Sequence, residues 1–247
     1  MSGRPPWDGP PPLAVVVDLD DTLYPQATYL AGAAADVGLA AEAAGLDGAR
    51  VHAALLRELA AGSDRGGTVD RALLAAGVPT GDVPGLVPPL VAAFTAHTPL
   101  SLPPYPGVPE ALAALGAMVP VGCLTDGNPV IQAAKLAATG LVPLLAEVLV
   151  TDTLGGRVAR KPAPHGLRVL AGRLGVPADR VLVIGDRPGK DVAVATAVGA
   201  RAIRVRQGEY AAAPEDPAAW AVTGDFPSAA ALAGSAVTGA GAVAARG

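Results

Sequence analysis

Two short apolar runs in this chain end abruptly in acids. Val15-Val16-Val17 stops in Asp18-Leu19-Asp20-Asp21-Thr22, and Val181–Ile184 stops in Gly185-Asp186-Arg187-Pro188-Gly189-Lys190-Asp191. In an open parallel sheet, ligands bind at the carboxyl ends of the strands, so these carboxylates emerge where chemistry is done. Crowded carboxylates raise one another's pKa and repel unless a cation sits among them. If the two runs lie side by side, Asp18, Asp20, Asp186 and Asp191 form an all-oxygen ligand set. That set suits Mg2+ and, with no histidine in it, disfavours zinc. A third run leads into Thr125-Asp126-Gly127-Asn128-Pro129, a hydroxyl and a glycine turn at the start of a helix. Free N–H groups there, Gly127 included, bind phosphate oxygens, and Thr125 adds a hydroxyl. The positive charge this chemistry needs is met by Lys161. The chain's only lysines are Lys135, Lys161 and Lys190, the rest of its positive charge being arginine, so a compact ammonium at Lys161 is a distinct choice.

The elements that must position these residues alternate. Branched runs at Leu13–Val17, Val119–Leu124, Glu147–Val150, Val181–Ile184 and Arg201–Val205 are separated by helical stretches, the pattern of a parallel sheet covered on both faces. Asn128 before Pro129 predicts a capped helix reaching about Thr139 and stopping at Gly140. Others are expected from about Pro164 to Leu174 and over roughly Gly189–Val198. Residues 24–104 break the alternation. Amphipathic stretches at Arg50–Ala61, Thr68–Ala76 and Leu86–His97, without a convincing strand, predict an all-helical insert. Residues 1–12 are rich in proline and glycine and read as a flexible lead, and 223–247, rich in alanine and glycine, as a mobile tail. The core then comprises 13–23 and 105–222.

At 247 residues the chain is long enough for such an α/β domain with an insert. No apolar run reaches the ~18 residues of a membrane span, and none of the roughly 7–15 apolar residues of a secretory signal is present, so a cytoplasmic location is expected. The single cysteine, Cys123, excludes an internal disulfide and a cysteine metal cluster. A net charge of −4 gives no basic footprint for nucleic acid or an anionic membrane.

The ordered set Asp18-x-Asp20-x-Thr22, Thr125, Lys161-Pro162 and Gly185-Asp186-x-x-x-x-Asp191 resembles the four motifs of the haloacid dehalogenase-like superfamily. The resemblance implies a doubly wound, Rossmann-like core of five parallel strands, ordered fifth, fourth, first, second, third, with a helical cap inserted after the first motif. It assigns Asp18 as the nucleophile that takes the phosphoryl group, and Asp20 as general acid and base, its backbone carbonyl helping to hold Mg2+. Thr125 and Lys161 would bind phosphoryl oxygens, and Asp186 and Asp191 would ligate the metal. Asp20 would need a pKa raised by its neighbours. The implied function is hydrolysis of a small phosphorylated metabolite, and the Leu102–Val108 stretch is similar to phosphoglycolate-phosphatase-like members. The alternatives are a phosphoryl transferase such as a sugar phosphomutase, a haloacid dehalogenase, and a non-catalytic binding protein; a monomer or a homodimer fits each.

Asp126 departs from the asparagine common in relatives. As an anion beside phosphate it is expected to turn away and cap the next helix, or to meet a cationic substrate group. Asp21, on extended backbone, should point away from Asp20 and make a structural hydrogen bond. Thr22 is read as bracing the turn or contacting phosphate, Gly185 as permitting a tight turn, and Cys123 as a buried apolar residue. Tyr24 and Tyr29 stand as pocket linings or packing residues, and His52, His97 and His165 have no partner that would make them catalytic.

Overall fold

A computed structural model describes Trp7 and residues 9–239. The elements in chain order are β1 Ala14–Val17, α1 Gln26–Ala43, α2 Gly48–Ala60, α3 Thr68–Ala75, α4 Val83–Ala96, α5 Val108–Gly116, β2 Val121–Thr125, α6 Pro129–Thr139, β3 Glu147–Val150, α7 His165–Arg173, β4 Val181–Gly185, α8 Ala193–Thr196, β5 Arg201–Val205, β6 Ala221–Thr223 and α9 Phe226–Val237. The strands form one parallel sheet in the order β3-β2-β1-β4-β5-β6. The order of the first five is the expected one, and β1 and β4, the two strands that end in acids, are neighbours, with Val17 registered on Ile184.

The strands' two-residue period sorts the core. Val15, Val17, Cys123, Ile184 and Ile203 pack on one face with Leu112 and Leu115 of α5 and Phe226 of α9. Val16, Leu124, Leu149 and Val183 face the other way, onto Leu167 and Leu170 of α7. Burial on both faces is why these runs are continuously apolar. Helices α1 to α4 bury their own cluster, built on Val37, Val51, Leu55, Leu73 and Leu90.

Four features differ from expectation. The sheet has a sixth strand, and 226–237 form a helix packed on it, where the sequence reads as a mobile tail. Asp225 caps that helix, accepting from Ser228 N at 2.7 Å, and Phe226, Ala229, Ala233 and Ala236 are fully buried. Alanines at helical spacing let the helix lie close to the sheet, so the small-residue composition here is packing rather than looseness. Residues 240–247 of the expected tail lie outside the described residues. The lead is likewise anchored from Trp7, which is buried edge-on against Trp220 at 4.8 Å, and Pro11 O accepts from Arg180 at 2.7 Å; residues 1–6 and 8 lie outside the described ones. The expected helix at Gly189–Val198 opens instead with a π-helical turn, Pro188–Val192, and continues as α8. Among the described residues no helix is long and apolar enough to cross a membrane.

Candidate active site

The carboxyl ends of β1, β2 and β4 meet at the floor of a cavity of about 180 Å³, lined by Asp18, Asp20, Thr125, Gly127, Lys161 and Asp186 from the sheet side and by Tyr29, Leu30, Ser63, Asp64 and Phe94 from the helical segment. Asp18 follows directly from β1, with its N–H donating to Ile184 O at 2.9 Å. Asp186 follows β4. Asp191 is carried by the π-helical turn, whose wider coil folds its carboxylate back beneath the end of β4, where it accepts from Arg187 N at 3.0 Å. Gly185 makes this possible by size: a Cβ there would lie 2.3 Å from Asp191 Cγ. Its role is room for a carboxylate rather than the tight turn expected.

Oxygens of Asp18, Asp186 and Asp191 lie within 4.8 Å of one another, all three residues being buried. Lys161 Nζ, also buried, bonds Asp18 Oδ1, Asp191 Oδ1 at 2.7 Å and Leu124 O at 3.1 Å. One ammonium cannot balance three acids. Burial, with Asp191 and Asp20 adding like charge, outweighs Lys161 and pushes Asp18 up to about 7. Burial and the charges of Asp191 and Asp18 likewise raise Asp186, and one of its buried oxygens, Oδ1, has no hydrogen-bond partner. A buried, unpartnered carboxylate oxygen in an all-oxygen cluster is what a hard divalent cation would satisfy, so the residues present fit a metal ion.

Asp20 sits in the opposite environment. Its carboxylate is not part of the triad; it accepts from Lys135 Nζ at 2.8 and 3.0 Å, Tyr24 Oη at 2.6 Å and Gln132 Nε2 at 3.0 Å. Burial pushes its pKa up, but Lys135, followed by the hydrogen bonds, outweighs burial and holds it below the usual carboxylate range. This corrects the expected upward shift.

Thr125 ends β2 with its hydroxyl bonded by Gln132 Nε2. Gly127, at φ 129°, lines the cavity, but its N–H donates to Asp152 Oδ1 at 3.2 Å, so a phosphate oxygen would compete with a carboxylate for it. Asn128, not Asp126, caps α6, accepting from Val130 N at 2.9 Å. Asp126 lines the cavity too, with its carboxylate held by Thr151 Oγ1 at 2.8 Å, Lys161 N at 3.0 Å and Lys190 Nζ at 3.0 Å. It braces three loops against one another. Asp21 accepts from Gln26 N and Glu209 N, each at 2.9 Å, the structural role expected of it, but from left-handed backbone at φ 55° rather than the extended backbone expected. Thr22 is fully buried and does not line the cavity.

Sequence reasoning did not assign Lys135 or Gln132. The available signal was their three-residue spacing on α6, which places both on one face of a helix that starts at the site. It also missed the contact between Asp64 of the α2–α3 loop and Arg187, 2.6 Å apart, which no local pattern announces.

Comparison with known proteins places this geometry. Residues 12–199 match the family described as "Hydrolase: haloacid dehalogenase-like hydrolase". The chain is 32% identical over 203 residues to glyceraldehyde 3-phosphate phosphatase of Methanopyrus kandleri, covering 80% of this chain and 85% of that one. It is 34% identical over 224 residues to phosphoglycolate phosphatase of Rhodospirillum rubrum, covering 88% and 89%. The fold is shared with the crystal structure of a haloacid dehalogenase-like family hydrolase from Xanthomonas campestris, at TM-score 0.60 and 22% identity over 95% of this chain and 100% of that one.

Proposed function

The chain belongs to the haloacid dehalogenase-like hydrolase family, and we propose that it is a Mg2+-dependent phosphatase that hydrolyses a small phosphate monoester through an aspartyl-phosphate on Asp18. The observation that carries this reading is the pairing of two unlike carboxylates two residues apart on one strand end. Asp18 lies in an acid cluster tied by Lys161, and Asp20 against the donors of α6 and Tyr24.

Asp18 attacks phosphorus and the leaving oxygen departs as the phosphoryl group passes to the carboxylate, which divides hydrolysis into two displacements. Lys161 holds the nucleophile and, with Thr125, faces the phosphoryl oxygens. Asp18, Asp186, Asp191 and the backbone carbonyl of Asp20 would hold Mg2+, which would supply charge neutralisation between anionic nucleophile and anionic substrate. Asp20 gives a proton to the leaving oxygen and takes one from the water that attacks the aspartyl-phosphate. Its carboxylate is held in the charged form, as the second task requires of a base; the approach of a phosphate dianion raises its proton affinity, as the first requires. Residues 24–104 act as a cap whose loop at Ser63-Asp64 and wall at Tyr29, Leu30 and Phe94 close over the leaving group and keep bulk water out. The relatives' substrates, glyceraldehyde 3-phosphate and phosphoglycolate, fit a cavity of this size.

The test is hydrolysis of p-nitrophenyl phosphate with Mg2+, with EDTA and with Asp18→Asn. Turnover only in the first condition supports the reading, and equal rates in all three dismiss it. Measuring free phosphate against isomer formation with a phosphorylated sugar separates hydrolysis from phosphoryl transfer back to substrate.

A further inference from the structure

The cavity carries charges of both signs, and their pairing bears on which leaving group it admits. Among the described residues five cations line it, Lys135, Arg160, Lys161, Arg187 and Lys190. Each already faces a protein carboxylate. Lys161 is bonded to Asp18 and Asp191, and Lys135 to Asp20. Arg160 grips Asp152 through two bonds of 2.7 Å. Lys190 Nζ lies 3.0 Å from Asp126 and 3.7 Å from Asp64, and Arg187 lies 2.6 Å from Asp64. Asp64 is the one acid in this set that comes from the helical segment; it reaches across the cavity to the loop that follows β4. Around these pairs the lining is uncharged apart from Asp186, with Tyr29, Leu30, Phe94 and Ile131 beside the amide of Asn128 and the hydroxyl of Ser63.

A phosphoryl group has Lys161, Thr125 and a metal ion to meet it. A second anion on the same molecule has no such provision. To bind, it would have to displace Asp64 from Arg187 or Asp126 from Lys190, or share a cation with one of them at close range. Like charges brought together in a partly enclosed site repel strongly, which is how a site discriminates against a ligand of otherwise acceptable shape.

We propose that the substrate of this site is a monoester whose leaving group is uncharged, a short hydroxyl- or carbonyl-bearing chain, and that Asp64 is the residue that turns away phosphorylated carboxylic acids. This deepens the phosphatase reading and rests on it. It divides the two relatives' substrates, taking the aldehyde phosphate as the model and setting the phosphorylated hydroxy acid aside.

The test uses a matched pair, glycerol 3-phosphate and 3-phosphoglycerate, which share a three-carbon frame and differ in a hydroxymethyl or a carboxylate group. Each is offered to the full chain with Mg2+ as substrate and as competitor of p-nitrophenyl phosphate, so that a slowly turned-over compound still yields an inhibition constant. The wild-type protein is expected to favour glycerol 3-phosphate by about tenfold or more, and Asp64→Asn, which releases Arg187, to shrink that preference to about threefold or less. Equal treatment of the pair, a preference for 3-phosphoglycerate, or failure of glycerol 3-phosphate to compete overturns the proposal from the wild-type data alone. An unchanged preference in a folded Asp64→Asn protein overturns the role of Asp64. Loss of p-nitrophenyl phosphate turnover in the wild type removes the phosphatase reading itself, and is thereby distinguished from failure of the specificity claim.

Discussion

Asp18 and Asp20 are separated by a single leucine, yet the floor of the site and its wall treat them in opposite ways. On the floor, one ammonium bonds two of three buried carboxylates, and burial together with the neighbouring like charges raises Asp18 and Asp186. On the wall, Asp20 accepts from a lysine, a phenol and an amide, and its charged form is favoured. The difference teaches that motif spacing fixes which carboxylates arrive, whereas the neighbours from other elements decide what each can do. The floor has a ligand set that fits a cation; the wall is complete within the chain.

The strongest way to break the comparison is to exchange each carboxylate for its amide. Asp18→Asn should lose about a thousandfold or more in kcat and never acquire a phosphoryl label, whereas Asp20→Asn should lose about a hundredfold to ten-thousandfold while the labelled protein accumulates. Intact mass after acid quench reads both, and a labelled Asp18→Asn protein would end the assignment. The next contrast is in stability. Mg2+ at a hundred times its dissociation constant should raise Tm by about 5 °C or more in the wild type and in Lys135→Met, but not in Asp186→Asn. Equal thermal shifts in all three would mean that the floor does not bind the ion.

A smaller effect is expected on the wall. Lys135→Met keeps the length of the side chain but removes the principal partner of Asp20; it should cost about 2 kcal/mol of stability, read by urea unfolding, because the carboxylate keeps part of its contact with solvent. The same substitution should lower kcat by about tenfold. A wild-type rate would show that the wall takes no part in the chemistry. Gln132→Ala should do least, raising KM about threefold with little change in kcat, since Thr125 loses a partner but keeps its place on β2. A larger fall in kcat than in Lys135→Met would reverse the ranking of the two donors.

The floor was legible in the sequence because apolar strands that end in acids leave a local signature. Val17-Asp18 and Gly185-Asp186 each announce a strand end, and the neighbouring placement of β1 and β4 follows from the doubly wound order. The wall was not legible. Gln132 and Lys135 lie 112 and 115 residues from Asp20, and on α6 they look like the polar positions of any amphipathic helix. Asp64 and Arg187 meet over 123 residues through the placement of a loop, which no periodicity encodes. The helix α9 was misread for another reason: Ala229, Ala233 and Ala236 are too small to register as anchors one at a time, but together they form a flat face that docks on the sheet.

One backbone contact bears on how this molecule tolerates change. The chain leaves the sheet at Leu23 and returns at Tyr105, whose N–H donates to Leu23 O at 2.9 Å. The whole detour through α1 to α4 therefore departs and arrives at one point, and its four helices keep a hydrophobic interior of their own. A detour pinned in this way can be lengthened, shortened or exchanged for another without re-threading the strands, so the wall that these helices give the cavity is free to diverge while the floor beneath it stays as it is.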